Sequence, residues 1–483
     1  MINKNIKKPF MYGICIFLYL VFIFGRSFTG IYLFGFRLGE ILVGVLILVS
    51  ILLFFATEER LNLSPTFFQI KSVFNILFLA FLTTSILTKS NIFDLYTFKV
   101  SSYIWLIPSI FIGLYIGDDF LNNKKIALFV ATSLPIVYIL STVKFPESLI
   151  DFFVSYSDKF DFVKASDLLL VYVFVNLLLR INFQNSLVSL SYFIISSAVM
   201  FPMFLFKSKG SFVACVIFFV LELYQHWNLI RVNFLKTFFL IVVSPIFFVV
   251  SSFEISGDSI LNGLFVEDSP VSSELMDSTL QNPKTSINTY STPTENLDKE
   301  DNSLETEDNS LETGIISETL IDNFDNKIAG NGTTDEKRIL EFKEGRVFSS
   351  DNTLNWRFQI WQDVIYDLID KNMIFTGYGY TEIIPAMDTI TRSGVDNSNE
   401  NVHNFFINII ARGGILQLVI IVYIFLLLLS LDRKKNLINF ILPLLVVSMF
   451  DSAMESVRFP ISIYIIAGSL LSFNNKNISD IIE

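Results

Sequence analysis

"GILQLVIIVYIFLLLLSLDRKKNLINFILPLLVV" (residues 414–447) is two apolar runs joined by the polar turn "LDRKKN" (431–436), and its reading decides the class of fold. A helix needs about 20 apolar residues to cross a ~30 Å hydrocarbon layer. The first run meets that requirement, and the turn carries three consecutive basic residues. A soluble fold would have to hide both runs in a core. The rest of the chain makes that untenable: 52% of its 483 residues are hydrophobic, 52 are phenylalanine and only 17% are charged. Lipid solvates such side chains directly. The sequence therefore reads as an all-α polytopic membrane protein.

Working outward, apolar runs recur near 10–25, 38–56, 70–88, 101–117, 126–143, 167–180, 185–206, 211–224, 236–253, 413–431, 436–451 and 458–473. These make about twelve transmembrane helices, with 167–180 the shortest. Basic residues orient them. With the N-terminus (Lys4, Lys7, Lys8) in the cytoplasm, the inner turns hold Arg60, Lys124, Lys125, Arg180, Arg231, Lys236, Arg433, Lys434, Lys435 and Lys476. The outer connections hold Arg26, Arg37, Lys89, Lys99, Lys144, Lys159 and Lys164, scattered singly. Both termini are expected in the cytoplasm. The first run lacks a small-residue cleavage site and reads as an anchor. Cys15 and Cys215 fall inside apolar runs, so no disulfide framework or cysteine metal site is expected.

Three parts follow: an N-terminal bundle of about nine helices (1–253), a large external loop (254–402) and a C-terminal segment of about three helices (403–483). The loop holds 29 acidic and 10 basic side chains, whereas the whole chain has a net charge of -11. A mildly basic membrane body thus carries one strongly acidic segment, which excludes nucleic acid as a partner. Residues 267–345 are rich in Ser, Thr, Asn, Asp and Glu and contain "EDNSLET" twice in tandem (300–306, 307–313). Too few large apolar residues are present for a core, so this reads as a disordered acidic insertion. At 350–372 Trp361, Val364, Ile365, Leu368 and Ile369 recur at helical spacing after Ser350, Asp351 and Asn352, any of which can serve as N-cap. An amphipathic helix lying on the membrane body is expected, with Arg357 on the Trp361 face.

The spanning segments carry almost no ionisable residues at mid-depth, which argues against a transporter, a flippase or an exporter. Polar groups gather on the external face instead: "FKSKGSF" (206–212) with Lys207 and Lys209, Arg357, Tyr378, His403 with Asn404, and Arg412 beside Gly413 and Gly414. Cations around a neutral imidazole suit a diphosphate-bearing donor and a hydroxyl acceptor. The cations would hold the leaving group, and the imidazole would take the hydroxyl proton. Each group also has a plainer reading. An interfacial histidine is often structural, the lysines can snorkel to lipid phosphates, and Arg357 can face solvent. Asp451, Glu455 and Arg458 read as a surface loop cluster outside the site, and His226 as an interfacial anchor. No metal-ligand spacing, phosphate-binding loop or nucleophilic-serine motif is present.

At these residues the sequence resembles the O-antigen ligase/polymerase family of bacterial membrane glycosyltransferases. "HNFFINIIARGGILQLVI" (403–420) is similar to the family's His-Asn followed by a glycine-bearing start of a spanning helix. "NWRFQIWQDVIYDLIDKNMIFTGYGY" (355–380) is similar to its Arg-x-x-x-Trp helix and Gly-x-Gly turn, and "FKSKGSFVACVIFFV" (206–220) to its Ser-Arg-Gly element. The insertion is not covered. The resemblance implies a GT-C-like, metal- and cofactor-free transferase in the bacterial inner membrane. Its donor would be an undecaprenyl-diphosphate-linked glycan, and its acceptor lipid A–core or a growing glycan. By motif position His403 would activate the acceptor hydroxyl and Arg357 would bind the diphosphate. The family's second arginine falls on Lys209, which keeps the charge and loses the bidentate fork; Lys207, Asn404, Tyr378 and Arg412 would support. The His-Asn and Arg-x-x-x-Trp pairing favours a ligase over a repeat-unit polymerase, with a protein O-glycosyltransferase third.

Overall fold

The structure is a computed structural model that describes residues 4–55, 65–142, 146–157, 163–184, 186–256, 340–388, 392, 400–432 and 434–482. Most of the expected insertion, residues 267–339, lies outside the described residues. Among the described residues, each of the twelve apolar runs falls mainly on helix. Among the described residues nine helices are long and apolar enough to cross a membrane: Lys7–Thr29, Leu38–Phe55, Phe68–Leu87, Ser102–Leu121, Lys124–Thr142, Ala165–Asn182, Leu187–Lys207, Phe234–Ile255 and Phe405–Leu431. Lys209–Gln225, Asn436–Ser448 and Arg458–Ile482 are the helices on the remaining three runs.

Connections gather at two ends of the bundle. At one end, here the loop end, Lys99 pairs with Glu400, Tyr380 N–H donates to Ser90, and Ile31 bridges Ser157. At the other, Asn182 donates to the Leu121 carbonyl and Arg180 to Asn436. The run at 167–180, the shortest in sequence, forms the centre: nearly every side chain of Ala165–Asn182 is buried. Its partners need no polar face, because each presents apolar side chains both to it and to lipid. Phe234–Ser256 illustrates the periphery, with Phe238, Phe239 and Ile246 all more than half exposed. In water such a face would aggregate; in hydrocarbon it is solvated.

Close packing relies on small residues, as expected where hydrophobic burial gives no advantage between helices in lipid. The Arg458 helix crosses the Ser102–Leu121 span so tightly that a Cβ on Gly468 would lie 2.0 Å from the Ile110 carbonyl oxygen. A Cβ on Gly113 would lie 2.0 Å from that of Ile465.

The amphipathic helix runs over Asn352–Asp370, and of the three possible caps Asp351 is the one used, accepting from Leu354 N–H. Its apolar stripe, Ile360, Val364 and Leu368, packs with Ile384, Met387, Val402 and Ala411 into a small core at the loop end. The Phe405–Leu431 helix starts eight residues before the expected 413, with Asn404 as its N-cap. Hydrophobicity could not reveal this first turn because "FFINIIARGG" mixes apolar and polar residues. The helix bends at Gly414, whose φ is 71°. That bend frees the Ala411 and Arg412 carbonyls, and these accept from Tyr378 and Gly379 N–H at 2.7 and 3.1 Å. Ile415 N–H donates in turn to Ile374. The "FTGYGY" turn thus satisfies the broken helix, and a Cβ at Gly414 would collide with the Phe375 carbonyl at 2.0 Å.

Candidate active site

Four neighbours hold His403. Its backbone has φ 53°, a conformation rare outside glycine. On its N-terminal side the Val402 carbonyl accepts from Trp361 Nε1 at 2.7 Å. On its C-terminal side Asn404 caps the helix through Phe406 and Ile407 N–H and donates from Nδ2 to the Met449 carbonyl at 3.0 Å. Trp356 meets the imidazole edge to face, with ring centroids 5.5 Å apart. The tryptophans stand five residues apart on the Asn352 helix, so that helix positions His403 directly. Asn404 orients it, through a cap and a long-range bond that local sequence could not reveal.

Arg357 lies on the same helix, one residue after Trp356. Its guanidinium is half-buried, and Nε is shut off from solvent without a partner in the protein. Burial lowers its pKa, opposed by the nearby Asp451 and Asp351 carboxylates. The imidazole is pushed down to about 4, first by burial, then by the Arg357 charge, with Lys164 adding to the effect and Asp451 opposing it. At neutral pH the ring is uncharged and able to accept a proton.

Of the expected lysines, Lys209 forms an ion pair with Asp351, the cap of the Asn352 helix. Lys207 Nζ lies 3.5 Å from the Val163 carbonyl, next to Lys164 at the start of the Ala165 helix. Lys164 is a functional candidate that sequence reading missed, and Asp451 one that it left outside the site. Both stand on connections distant in the chain, so no spacing could point to them.

Three expectations need correction. Tyr378 and Arg412, expected to support His403, spend their side-chain hydrogen bonds elsewhere. Tyr378 donates to Asp367 at 2.6 Å inside the loop core. Arg412 is buried and donates to the Glu382 carbonyl at 2.5 Å and to Tyr96 at 3.3 Å, tying the loop to the bundle. Asp451, Glu455 and Arg458 are not a surface cluster. Arg458 pairs with Asp167 at 2.7 Å, both largely buried, and both carboxyl oxygens of Glu455 are closed to solvent. Nor is His226 an interfacial anchor. It is 4% exposed, stacked on Phe193, with Nδ1 3.0 Å from the Glu222 carbonyl. Glu222 in turn pairs with Arg180 at 2.5 Å.

The geometry brings an uncharged imidazole within electrostatic reach of the half-buried Arg357 guanidinium and of Lys164, with Lys207 beside Val163 and Lys209 on the cap of the Asn352 helix. Such a set can take a proton while neutralising a leaving anion. Among known proteins, a family model described as O-antigen ligase matches residues 186–422. That span contains Lys207, Lys209, Arg357, His403, Asn404 and Arg412 and ends before Asp451 and Glu455. No curated protein matches the chain.

Proposed function

Because the chain belongs to the O-antigen ligase/polymerase family, whose members are glycosyltransferase-like membrane enzymes, we propose that it is a ligase. It moves a glycan from undecaprenyl diphosphate to a hydroxyl of lipid A–core at the periplasmic face of the bacterial inner membrane. His403 removes the proton from the acceptor hydroxyl as that oxygen attacks the donor's anomeric carbon. The bond from that carbon to the phosphate oxygen breaks, and undecaprenyl diphosphate leaves with the electron pair. Arg357, assisted by Lys164, Lys207 and Lys209, takes up the charge that develops on the leaving group.

The observation that carries this reading is Arg357, a half-buried cation with an unpartnered Nε beside a neutral imidazole. A buried donor without a hydrogen bond is costly, and an anionic donor substrate offsets that cost. The same anion makes His403 a better base, since it neutralises the Arg357 charge that adds to burial in holding the imidazole pKa down. Lys209 is available only when its contact with Asp351 opens, so donor binding and the position of the Asn352 helix are linked.

The test uses the full-length protein in membranes. His403→Ala should insert normally and lower glycan transfer by about 10²–10⁴-fold, the usual share of a general base. Undiminished transfer would overturn the assignment. Depletion of the protein separates the two reactions of the family: long polymer stranded on undecaprenyl diphosphate marks a ligase, and accumulated single repeat units mark a polymerase.

A further inference from the structure

A polar cavity of about 90 Å³ lies at the loop end and is built from other elements than the cation cluster. Ser102 and Tyr103 line one wall, Asn401 and Asn408 another, and Arg412 and Glu455 complete it; the Lys99–Glu400 ion pair stands at its rim. The cations around His403 come from the starts or ends of the Ala165, Leu187, Lys209 and Asn352 helices, none of which reaches this cavity. The segment 400–412 and the connection between the last two helices serve both. His403 therefore stands between a cationic side and a side rich in carboxyl and carboxamide groups.

Two buried groups of opposite charge line this cavity with hydrogen-bonding capacity unused. Both carboxyl oxygens of Glu455 and the Nε of Arg412 are closed to solvent and lack a well-formed hydrogen bond, the Asn404 backbone acting on the carboxyl only as a weak donor. Such atoms are rare in native structures and mark places where something else binds. Burial and the neighbouring Asp451 push the Glu455 carboxyl up to about 8, the Arg412 charge and the Asn404 backbone opposing them. A carboxyl in that range is partly protonated at neutral pH and can both donate to and accept from a hydroxyl. A hydroxyl can bridge the pair, giving its proton to the carboxylate and accepting from the guanidinium. Lys99 and Arg412 balance Glu400 and Glu455 in the wall, so a neutral polyhydroxyl group suits it better than a second phosphate, and Val100 and Met454 add apolar surface for the C–H face of a sugar. The volume suits the hydroxyl-bearing edge of one sugar ring, at roughly 10–15 Å³ per water-sized group.

We propose that this cavity is the acceptor subsite, in which hydroxyls of the acceptor sugar bind between Glu455 and Arg412 with Asn401 and Asn408 completing the contacts. The inference rests on the transferase reading and deepens it: donor diphosphate on the cationic side, acceptor sugar on this side, and His403 between them. Asn408 lies one helical turn beyond Asn404, its N–H bonded to the Asn404 carbonyl at 2.9 Å. A sugar held by Asn408 is thereby held relative to the imidazole.

The test reconstitutes the full-length protein with undecaprenyl-diphosphate-linked glycan and titrates the acceptor that the wild type uses, lipid A–core or lipid-linked repeat unit. Asn408→Ala and Glu455→Gln should each raise the acceptor KM by about tenfold, the scale of one lost hydrogen bond to a polar or charged group, with donor KM within twofold of wild type. An unchanged acceptor KM would make the cavity structural, and an equal rise in donor KM would assign it to the donor; either result overturns the proposal. If Glu455→Gln does not fold, as judged by lost donor binding, the partly exposed Asn408 decides alone. His403→Ala in the same assay keeps the two readings apart. If it still transfers while the KM effects hold, the base assignment falls and the subsite stands. If it is inactive and the KM values do not move, only the subsite falls.

Discussion

His403 sits in backbone strain and low polarity at once. A φ of 53° on a histidine costs of the order of 1 kcal/mol, and the indole edge of Trp356 with the cap of Asn404 holds it there. Burial and the Arg357 charge both oppose a proton on the ring, which is why its pKa lies near 4 and not near 6.5. The sign is testable. Arg357→Gln removes a positive neighbour, so the protonated ring becomes easier to form and the pKa must rise. Diethyl pyrocarbonate reacts only with neutral imidazole, and His226 is too buried to compete. The pH at which His403 modification is half-maximal, followed by peptide mass spectrometry without donor, should sit near 4 in wild type and move upward in Arg357→Gln. An unmoved midpoint would show that burial alone sets the value and that Arg357 is too distant to share a leaving group with this base.

At the scale of elements, the bundle depends on backbone contact more than on side-chain volume. Gly468 on the last helix and Gly113 on the Ser102–Leu121 span bring the two backbones together, and the smallest possible addition meets a carbonyl oxygen at 2.0 Å. Gly468→Ala should therefore destabilise the protein by at least ~1–3 kcal/mol, the usual cost of overpacking, despite alanine's better helix propensity. Thermal unfolding in detergent checks it; a melting temperature equal to wild type would mean the helices can part without loss. Neither glycine stands out in sequence, since "FIGLY" and "IAGSL" are ordinary spanning composition. The spans and the Asn352 helix were legible because their signal is local periodicity, and Asp351 because a cap is a local motif. His403 and Arg357 were legible as rare polar groups in an apolar chain. Lys164, Asp451 and Glu455 were not, because their importance comes from neighbours on other elements, far beyond the reach of any local pattern. Arg412 misled for the opposite reason: in sequence it looks like another free cation, and in the fold its hydrogen bonds go to loop carbonyls.

For the whole molecule, the alternation of helices gathers the cation cluster, the Asn352 helix and the polar cavity at one end, with "LDRKKN" and the buried Arg180–Glu222 pair toward the other. Which end faces the cytoplasm is then a single binary question for every residue of the site. The clustered basic residues of the short turns favour the end opposite the loop, and on the proposed reading the donor's diphosphate and the acceptor would then meet outside. Cysteine chemistry answers it cleanly, since Cys15 and Cys215 are both buried and give little background. Phe93, 90% exposed in the connection at the loop end, and Lys435, exposed in the basic turn, serve as reporters. In spheroplasts a membrane-impermeant maleimide should label Phe93→Cys at once and Lys435→Cys only after the membrane is opened. The reverse pattern would put His403 and Arg357 in the cytoplasm. An acceptor assembled on the periplasmic face would then be out of reach, and the ligase reading would fail however well the local geometry suits it.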